Sequence, residues 1–408
     1  MGWTETCAVD ERARFVLMVE AQEVCLASIC RSFGVSRKTG YKWLERYRGD
    51  GFGGLDDRSR APQHRPHALS DALAEDCLSI RRAHPSWGPV KVRGFLQRRS
   101  PAITWPAAST IGELFDRHGL TVKRKLRRRS TPTTQPFGPC LAANEVWCVD
   151  FKGWFRTGDG KRCDPLTMAD AYSRYLLRCQ AVRRMTTEQV WPIFDAAFRE
   201  FGLPKRLRSD NGSPFASTGA GGLSRLAVKV IKAGVTPERI EPGKPQQNGR
   251  LERFHLTLLK DTADPPAPTL RAQMQRFRSF QRLYNEQRPH QALQNDTPAE
   301  HFVPSPRSWD GILRSPEYGA ERTVRRVRHS GEIKWCSSSV YINQALAGEP
   351  IGMLEQPDGS FIVSFGPVVL GTIAHHGDRL RRTSQPARGF VDEAVASPTT
   401  PRAQQQEH

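Results

Sequence analysis

The chain has 408 residues, of which 38% are hydrophobic and 25% charged, and it carries a formal net charge of +19 at pH 7. This length predicts roughly two to four domains, because a single hydrophobic core stops growing well before it. No apolar run approaches the roughly 20 residues that cross a bilayer, and the segment MGWTETCAVDERARF lacks the basic and apolar parts of a signal peptide. The composition therefore excludes membrane-spanning proteins and predicts a cytoplasmic protein without a membrane partner.

The positive charge predicts a polyanionic partner, because each Lys or Arg near a phosphate releases condensed counterions. Residues 1–135 hold 24 Lys and Arg against 14 Asp and Glu, a net of +10. Composition alone leaves DNA, RNA, anionic lipid and a merely solvated charged surface open. The nine cysteines include no C-x-x-C pair, which predicts reduced thiols and argues against a structural zinc site.

The first 50 residues predict a helix-turn-helix DNA-binding domain. An amphipathic helix over 9–23 precedes a second helix over 24–33, which ends at Gly34, a residue suited to the positive φ of a tight turn. Ser36 is a natural N-cap for a third helix that continues to about residue 47. Two short helices joined by such a turn are typical of helix-turn-helix proteins, although a plain helical hairpin is the alternative.

The third helix of this domain divides into a core side and an outer side. Trp43, Leu44 and Tyr47 are predicted to face the core. The outer side holds residue types that reach bases and phosphates, and we expect it to contact DNA. Its members are Arg37, Lys38, Tyr41 and Lys42.

A second DNA-binding domain is predicted over 70–130, between linkers at 51–69 and 131–144 that are rich in Pro or Gly. Its layout suggests another helix-turn-helix or winged-helix unit, and it ends in the basic run KRKLRRR. Such a run is often only a solvated segment, but its place beside two DNA-binding units favours a segment that follows phosphates. Its basic residues are Lys123, Arg124, Lys125, Arg127, Arg128 and Arg129.

The remaining chain predicts an α/β domain followed by a small all-β domain. Over 145–308, three strands, a helix and then single strands alternating with helices indicate a mixed sheet flanked by helices. Over 309–380, short β-prone pieces with turns at H-S-G, P-D-G and F-G-P indicate a small barrel or sandwich. Residues 381–408 are polar and are predicted to form a disordered tail.

Three acidic residues attract attention by their positions. Asp150 ends the buried-looking strand VWCVD, where a carboxylate without a cation is costly. Asp210 ends another strand, and Glu252 lies in the first turns of a later helix. Transfer of a phosphodiester needs charge stabilised on both the attacking and the leaving oxygen, which two Mg²⁺ ions about 4 Å apart provide. A few carboxylates suffice for such ions, since Mg²⁺ keeps several waters.

The segments around these acids resemble a known family. VWCVDFKGW, MADAYSRY, LRSDNGSPF, GKPQQNGRLERFHLTLLK and YNEQRPHQAL occur in this order, and they are similar to the integrase-type core of DDE transposases from bacterial insertion sequences. The resemblance implies the ribonuclease-H-like fold of the retroviral-integrase superfamily. It also implies that Asp150, Asp210 and Glu252 are catalytic and bind two Mg²⁺ or Mn²⁺ ions per active site. ICRSFGVSRKTGYKWLERY and the segments after it resemble the tandem helix-turn-helix region of the same transposases.

One departure concerns the third acid. Between Asp210 and Glu252 lie 41 residues, more than in much of the superfamily, and the segment ASTGAGGLS at 216–224 reads as a loop-like insertion that accounts for the excess. Glu241 is the competing third acid, with 30 residues between it and Asp210. It lacks the N-G-x-x-E setting of Glu252.

Neighbouring residues receive smaller roles. Asp170 is predicted to serve a turn or an ion pair with Arg174 rather than a metal. Asn211 and Gly212 are predicted to shape the turn that aims Asp210. His255 and Lys260 follow Glu252 on its helix and are candidates for DNA contact or for a plain surface role. The side chains expected to anchor this helix to the sheet are Leu251, Phe254 and Leu258.

The resemblance implies a transposase that binds the ends of its mobile element with residues 1–130. It cuts 3′ ends by water attack and then uses each 3′-OH to attack target DNA. Its partners are double-stranded DNA and further copies of itself on that DNA, at the nucleoid in the cytoplasm. The alternatives are a DNA-binding regulator with an inactive ribonuclease-H-like domain and a nuclease that does not join DNA.

Overall fold

The computed structural model describes residues 7–58, 69–121, 140–241 and 249–382. The basic run at 123–129, most of the predicted linker at 131–144 and the tail beyond 382 lie outside these ranges. The chain divides into two compact units, Met1–Ala68 and Leu69–His408. Across the described ranges, no helix combines the length and the apolarity that a membrane span requires.

The first unit is helical and has the predicted turn. Its helices are α1 (Ala8–Glu20), α2 (Leu26–Ser32) and α3 (Arg37–Asp50). Gly34 has a φ of +65° between α2 and α3, and the Ser36 hydroxyl accepts the backbone N–H of Thr39 at 3.2 Å as the N-cap of α3. The predicted linker begins later than expected, because Leu55 in the 3-10 turn Gly51–Leu55 is fully buried in this unit's core.

The second unit opens with three more helices, α4 (Asp71–Ala83), α5 (Pro89–Arg99) and α6 (Ala108–Arg117). Trp87, Val92, Ile111 and Phe115 form the centre of their shared core. Later residues of the same unit lie against α5. The side chain of Arg98 forms ion pairs with Asp296 and Glu300.

A six-stranded mixed sheet follows, as predicted. Its strands are β1 (Val146–Phe151), β2 (Phe155–Arg156), β3 (Arg162–Asp170), β4 (Leu176–Val182), β5 (Arg206–Ser209) and β6 (Thr236–Arg239). They pair in the order β4–β3–β1–β5–β6, and β2 pairs with the beginning of β3. β3 is antiparallel to its neighbours, whereas β1, β5 and β6 are mutually parallel. The carboxyl ends of these three strands therefore meet at one edge.

Helices cover both faces of this sheet. They are α7 (Thr187–Phe201), α8 (Arg225–Lys232), α9 (Gly249–Thr262), α10 (Leu270–Glu286) and the short α11 (Pro298–His301). α7 and α8 pack on one face through Phe194, Phe198 and Val230. α9 and α10 pack on the other through Phe254 and Phe277. Both faces of β3 are consequently buried along most of its length.

The C-terminal part is antiparallel β structure with the predicted turns. Its strands are β7 (Arg322–Arg326), β8 (Glu332–Trp335), β9 (Ser338–Tyr341), β10 (Pro350–Glu355), β11 (Phe361–Phe365), β12 (Val368–Ile373) and β13 (Arg381–Arg382). Five of them form a sheet in the order β13–β12–β11–β10–β7, and β8 and β9 form a hairpin. Within the described ranges β7 and β13 do not pair with each other, so the barrel closure that the sequence suggested is not seen.

The segment at 216–224, expected to be a loop-like insertion, is built into this β domain. Leu223 lies in one core with Val228 and Ile231 of α8 and with the β-domain residues. The Asn343 side-chain amide donates to the carbonyl oxygens of Ala220 and Leu223 at 3.2 and 3.1 Å. The segment therefore supports the C-terminal domain as well as lengthening the chain between β5 and β6.

Candidate active site at the ends of two parallel strands

Asp150 and Asp210 lie side by side at the sheet edge where parallel strands end. β1 and β5 pair Val146 with Arg206 and Cys148 with Arg208. Continuing this register by two residues sets Asp150 beside Asp210, roughly 5 Å apart at the backbone. Both residues are half-buried.

The turn after β5 holds the carboxylate of Asp210. The backbone N–H of Gly212 donates to Oδ1 of Asp210 at 3.1 Å, and the amide of Asn211 donates to the carbonyl oxygen of Ile240 at 2.8 Å. A Cβ at position 212 would lie 3.0 Å from Oδ2 of Asp210. These bonds agree with the prediction that Asn211 and Gly212 shape this turn, and a larger side chain at position 212 would crowd the carboxylate of Asp210.

Glu252 lies in the first turn of α9, and its side chain is exposed. Leu251, Phe254 and Leu258 on the same helix are buried against the sheet, which confirms their predicted anchoring role. His255 lies one turn after Glu252, and its side chain reaches from α9 to β1. Its Nδ1 is 3.9 Å from Oδ2 of Asp150.

His255 is a buried link between α9 and the strands. Its Nε2 lies 2.8 Å from the hydroxyl of Thr167, and that hydroxyl donates to the backbone carbonyl oxygen of Asp150 at 3.1 Å. Burial, and then the positive charge of Lys152, lower the pKa of His255 to about 4, so the imidazole is neutral near pH 7. The expectation that His255 faces DNA is wrong, because only 5% of its surface is exposed.

Carboxylate oxygens are the ligands that Mg²⁺ and Mn²⁺ prefer, so the donor set of Asp150 and Asp210 fits a hard divalent ion. In the part of the chain that the structure describes, no group of three or more His, Cys, Asp or Glu side chains converges closely enough to hold a metal ion. Asp150 and Asp210 are at the same edge of the sheet, near the ends of β1 and β5. Glu252 lies on the neighbouring helix, one turn before the residue that contacts Asp150.

The competing acid, Glu241, follows the last strand of the parallel set. β5 and β6 pair Ser209 with Arg239, and the backbone N–H of Ile240 donates to the carbonyl oxygen of Ser209 at 3.3 Å. Glu241 therefore comes two residues after the end of β6, on the same sheet edge as Asp210. Geometry alone leaves both glutamates near the candidate site.

Asp170 has the turn role that the sequence predicted. It accepts hydrogen bonds from the backbone N–H groups of Ser173 and Asn144 and from the Ser173 hydroxyl, at 2.7 to 2.8 Å. Only 1% of its surface is exposed, and burial raises its pKa. These bonds tie the β3–β4 turn to the residue before β1 and occupy both carboxylate oxygens.

The predicted DNA-contacting residues that the structure describes are exposed. In α3 these are Arg37, Lys38, Tyr41 and Lys42, and in α9 it is Lys260. The core side of α3 is also as predicted, with Trp43 and Leu44 buried. The basic residues at 123–129 lie outside the described ranges.

Thr167 and the buried state of His255 were missed by reasoning from the sequence. A signal was present for the second. Leu251, His255 and Leu258 follow the i, i+4, i+7 spacing of one helix face, and the first and last were already assigned to the core. Nothing local marks Thr167, which contacts a residue 88 positions away.

Comparison with protein families gives matches along most of the two units. The family described as Integrase core domain matches residues 141–245, and a second family with the same description matches 233–298. A Helix-turn-helix domain family matches 11–63, and a Homeodomain-like domain family matches 39–115. The first two matches cover the mixed sheet and the helix that carries Glu252.

Relatives come from mobile elements. The chain is 27% identical over 241 residues to the uncharacterized 31.7 kDa protein of insertion element IS407 from Burkholderia multivorans, covering 59% of this chain and 82% of that protein. It is 24% identical over 237 residues to the uncharacterized 39.2 kDa protein of insertion element IS476 from Xanthomonas euvesicatoria. That match covers 58% of this chain and 66% of the relative, just under two thirds of its length.

Solved structures that resemble the chain are integrases. The intasome of simian T-cell lymphotropic virus matches with a TM-score of 0.36 and 15% identity, over 70% of this chain and 91% of that one. The HTLV-2 integrase catalytic core domain, solved in complex with magnesium, matches with a TM-score of 0.30 and 15% identity, over 40% of this chain and 99% of that one. These TM-scores are low, so the similarity to integrases and insertion-element proteins depends on the sequence matches.

Proposed function

We propose that the chain cleaves the 3′ ends of a mobile element and joins them to target DNA, since it matches Integrase core and Helix-turn-helix domain families and is similar to insertion-element proteins. The observation that carries this proposal is the parallel pairing of β1 with β5, which extends to Cys148 and Arg208, two residues before Asp150 and Asp210. We propose Glu252 as the third acid, since α9 contacts Asp150 through His255.

The proposed roles of these residues follow from where their side chains lie. Asp150 and Asp210 would hold two divalent ions, Mg²⁺ or Mn²⁺, and Glu252 would complete the set. When bound, such ions stabilise charge on both the attacking and the leaving oxygen of an in-line displacement. The hydrogen bond from Gly212 keeps one oxygen of Asp210 pointing along the turn. Neutral His255 holds α9 against β1 without adding a charge beside Asp150.

This chemistry needs no covalent intermediate on the protein, so we assign no Ser or Tyr nucleophile. Water is the first nucleophile in the proposed reaction, and the freed 3′-OH is the second. We propose that the helix-turn-helix domains bind the element ends, with base contacts from Arg37, Lys38, Tyr41 and Lys42. Two ends must be held together, which implies a multimer on DNA.

The test is a set of near-isosteric substitutions in the full chain. Asp150→Asn, Asp210→Asn and Glu252→Gln each remove one negative charge from the proposed metal cage while keeping its shape. We expect each to lower Mg²⁺- or Mn²⁺-dependent cleavage and joining of DNA flanking the coding segment by at least about a hundredfold, the scale of losing one electrostatic stabiliser. Gel analysis of labelled end duplexes measures both steps.

Two further variants serve as a control and as a test of the competing glutamate. Glu355→Gln, an exposed acid of the β domain, is the matched control and should retain full activity. Glu241→Gln decides the third acid: activity that survives Glu252→Gln but is lost in Glu241→Gln would contradict our choice. A chain that cleaves intact ends but does not join duplexes carrying a pre-formed 3′-OH would favour the nuclease alternative. A chain that binds the ends but neither cleaves nor joins them would favour the regulator.

A further inference from the structure

An exposed tryptophan lies close to the candidate acids and has no part in the proposed chemistry. Trp154 belongs to the turn between β1 and β2, four residues after Asp150, and 54% of its surface is exposed. Single exposed apolar side chains are common and need no explanation by themselves. Two cationic side chains, however, lie within cation–π distance of this indole.

Two guanidinium groups flank the indole. Cζ of Arg162 lies 5.2 Å from the ring centroid, and Cζ of Arg156 lies 5.6 Å from it. β2 and β3 pair Arg156 with Arg162, and they pair Phe155 with the buried Cys163. Because side chains alternate along a strand, Phe155 packs inward and both arginines project to the outer face. We call Trp154, Arg156 and Arg162 the Trp154 cluster.

The arginines of the Trp154 cluster are held in place by further contacts. Arg162 binds the buried carboxylate of Asp164 through Nε and a terminal nitrogen, at 2.6 and 2.9 Å. A terminal nitrogen of Arg156 donates to the carbonyl oxygen of Gly160 at 2.8 Å. Each guanidinium keeps other N–H groups that can donate to a ligand. The cluster is therefore pre-organised, with an indole that is more than half exposed and two guanidinium groups next to it.

The distance to the acids follows from the strand register. Asp150 pairs with Thr167 on β3, and Phe155 pairs with Cys163 on the same strand. Four residues of a strand span roughly 13 Å. At about 3.4 Å per nucleotide along a duplex strand, the Trp154 cluster lies a few nucleotides from a phosphate bound at the acids.

We propose that the Trp154 cluster binds an unpaired nucleobase of the DNA strand that enters the candidate active site. The inference rests on the proposed function and names a subsite for its substrate. An indole stacks on the π-face of any base, so the subsite is tolerant of sequence. The two neighbouring guanidinium groups donate to the adjoining phosphates. Bases inside an intact duplex hide their faces, so the cluster selects DNA that is frayed or melted beside the reacting phosphate.

The experiment compares forked and blunt DNA of arbitrary sequence in Ca²⁺, where binding is measured without cleavage. The fork carries unpaired nucleotides with 2-aminopurine at successive positions, and fluorescence anisotropy and base fluorescence are recorded together. For the unaltered chain we expect tighter binding to the fork and quenching at one or two positions. Trp154→Ala should weaken binding to the fork by roughly five- to a hundred-and-fifty-fold, abolish the quenching and leave blunt-duplex affinity nearly unchanged.

Three variants control this result. Trp154→Phe keeps an aromatic face and should retain most of the preference for the fork. Arg156→Gln should weaken binding and reduce its salt dependence, because a phosphate contact is lost. Tyr341→Ala removes an exposed aromatic ring of the β domain and should bind both DNAs like the unaltered chain.

The outcomes separate this inference from the proposed function. Equal fork preference in Trp154→Ala and the unaltered chain overturns the inference, even if Asp150→Asn abolishes cleavage as proposed. Cleavage by Asp150→Asn at the unaltered rate overturns the proposed function, and the loss of quenching in Trp154→Ala still upholds the base subsite. A loss of blunt-duplex affinity equal to the loss of fork affinity also overturns the inference, because it indicates a general contact.

Discussion

His255 is the residue on which the geometry around Asp150 most depends. It is buried at the junction of α9, β1 and β3, and its hydrogen bond to Thr167 satisfies a polar group that burial would otherwise penalise. Glu252 lies one turn earlier on the same helix. The position of Glu252 is therefore set through His255 as well as through the apolar anchors of α9.

We expect His255→Ala to lower the free energy of unfolding by roughly 1 to 3 kcal/mol, because the Thr167 hydroxyl loses a buried partner. Thr167→Ala removes the other end of the same bond. Urea unfolding of both single variants and the double variant measures the coupling between them, expected at about 0.5 to 3 kcal/mol. Strictly additive losses would show that the two side chains do not stabilise one another.

The exposed side of α3 allows a second prediction at this scale. Base contacts discriminate between sequences, whereas phosphate contacts only position the protein. Alanine at the base-contacting members of Arg37, Lys38, Tyr41 and Lys42 should cost about 1 to 3 kcal/mol on end DNA and little on random duplex. Anisotropy titrations of the full chain on both DNAs, at several salt concentrations, measure this difference.

Neutralising the run at 123–129 is the matched comparison, since it should weaken both DNAs alike and flatten the salt dependence. If the α3 variants weaken both DNAs equally, α3 does not read the sequence. The helices of residues 70–120 then become the better candidates.

For single residues, the sequence was sufficient to predict a position in the fold where a local pattern is typical of one structure only. Asp150 lies near the end of β1 and Asp210 directly follows β5, and the carboxyl ends of these parallel strands meet at one edge. The partner of His255 could not be predicted, because Thr167 is brought to it only by the pairing of β3 with β1. The third acid also stays a prediction, since Glu252 and Glu241 both approach that edge.

Among the helices and strands, α5 shows how the helices of residues 69–121 are attached to the rest of the second unit. Its Arg98 forms ion pairs with Asp296 and Glu300, and a Cβ at Gly94 would lie 3.3 Å from Cβ of Asn295. Leu283 of α10 packs against the core of α4–α6. The helical region at 69–121 is thus attached to the integrase core through α5, although the sequence suggested a DNA-binding domain between two linkers.

This attachment should depend on pH. The Arg98 guanidinium, together with hydrogen bonds at Thr297, lowers the pKa of Glu300 from 4.5 to about 2. A depressed acid pKa contributes stability above pH 4.5, and that stability is lost as the pH falls toward 2. Both side chains are partly exposed, so solvent screening limits the contribution to about 1 kcal/mol or less.

Urea unfolding at several pH values tests this prediction. The stability difference between the unaltered chain and Glu300→Gln should be constant above pH 4.5 and should shrink below it. Glu355→Gln, at an exposed position, serves as the control for removal of any one carboxylate. A difference that grows as the pH falls would contradict the assigned role of Glu300.

Element types were predictable from the sequence because apolar spacing distinguishes helices from strands along most of the chain. Two glycine-rich pieces were not. Residues 51–55 and 216–224 look like loose connections in composition, yet both contribute to a hydrophobic core, the first through Leu55 and the second through Ala220 and Leu223. Glycine-rich sequence permits a close backbone approach as readily as flexibility, so composition does not tell the two apart.

At the scale of the whole molecule, the integrase core and the C-terminal β domain share a hydrophobic core. Leu223, Val228 and Ile231 of the first are buried together with β-domain residues. A chain cut after residue 308 would expose these three side chains, at a cost on the order of 5 kcal/mol. We expect the shortened chain to unfold at a lower temperature and to aggregate, as light scattering during thermal unfolding would measure.

The matched control is the same shortened chain with Leu223, Val228 and Ile231 each replaced by Ser. This variant should aggregate less, because the newly exposed apolar patch is gone. A shortened chain that melts at the original temperature and stays monomeric would show that the shared core is dispensable.

The packing of residues 216–224 determines how the C-terminal domain can be exchanged between related chains. Asn343 is bonded to the backbone of this segment, and Lys232 at the end of α8 forms an ion pair with Glu349 at 2.6 Å. A chimera that exchanges the C-terminal domain between relatives at a single junction near residue 309 would separate both pairs of partners. A graft that keeps them must transfer the segment from 216 to 232 together with the domain, as two pieces from one donor.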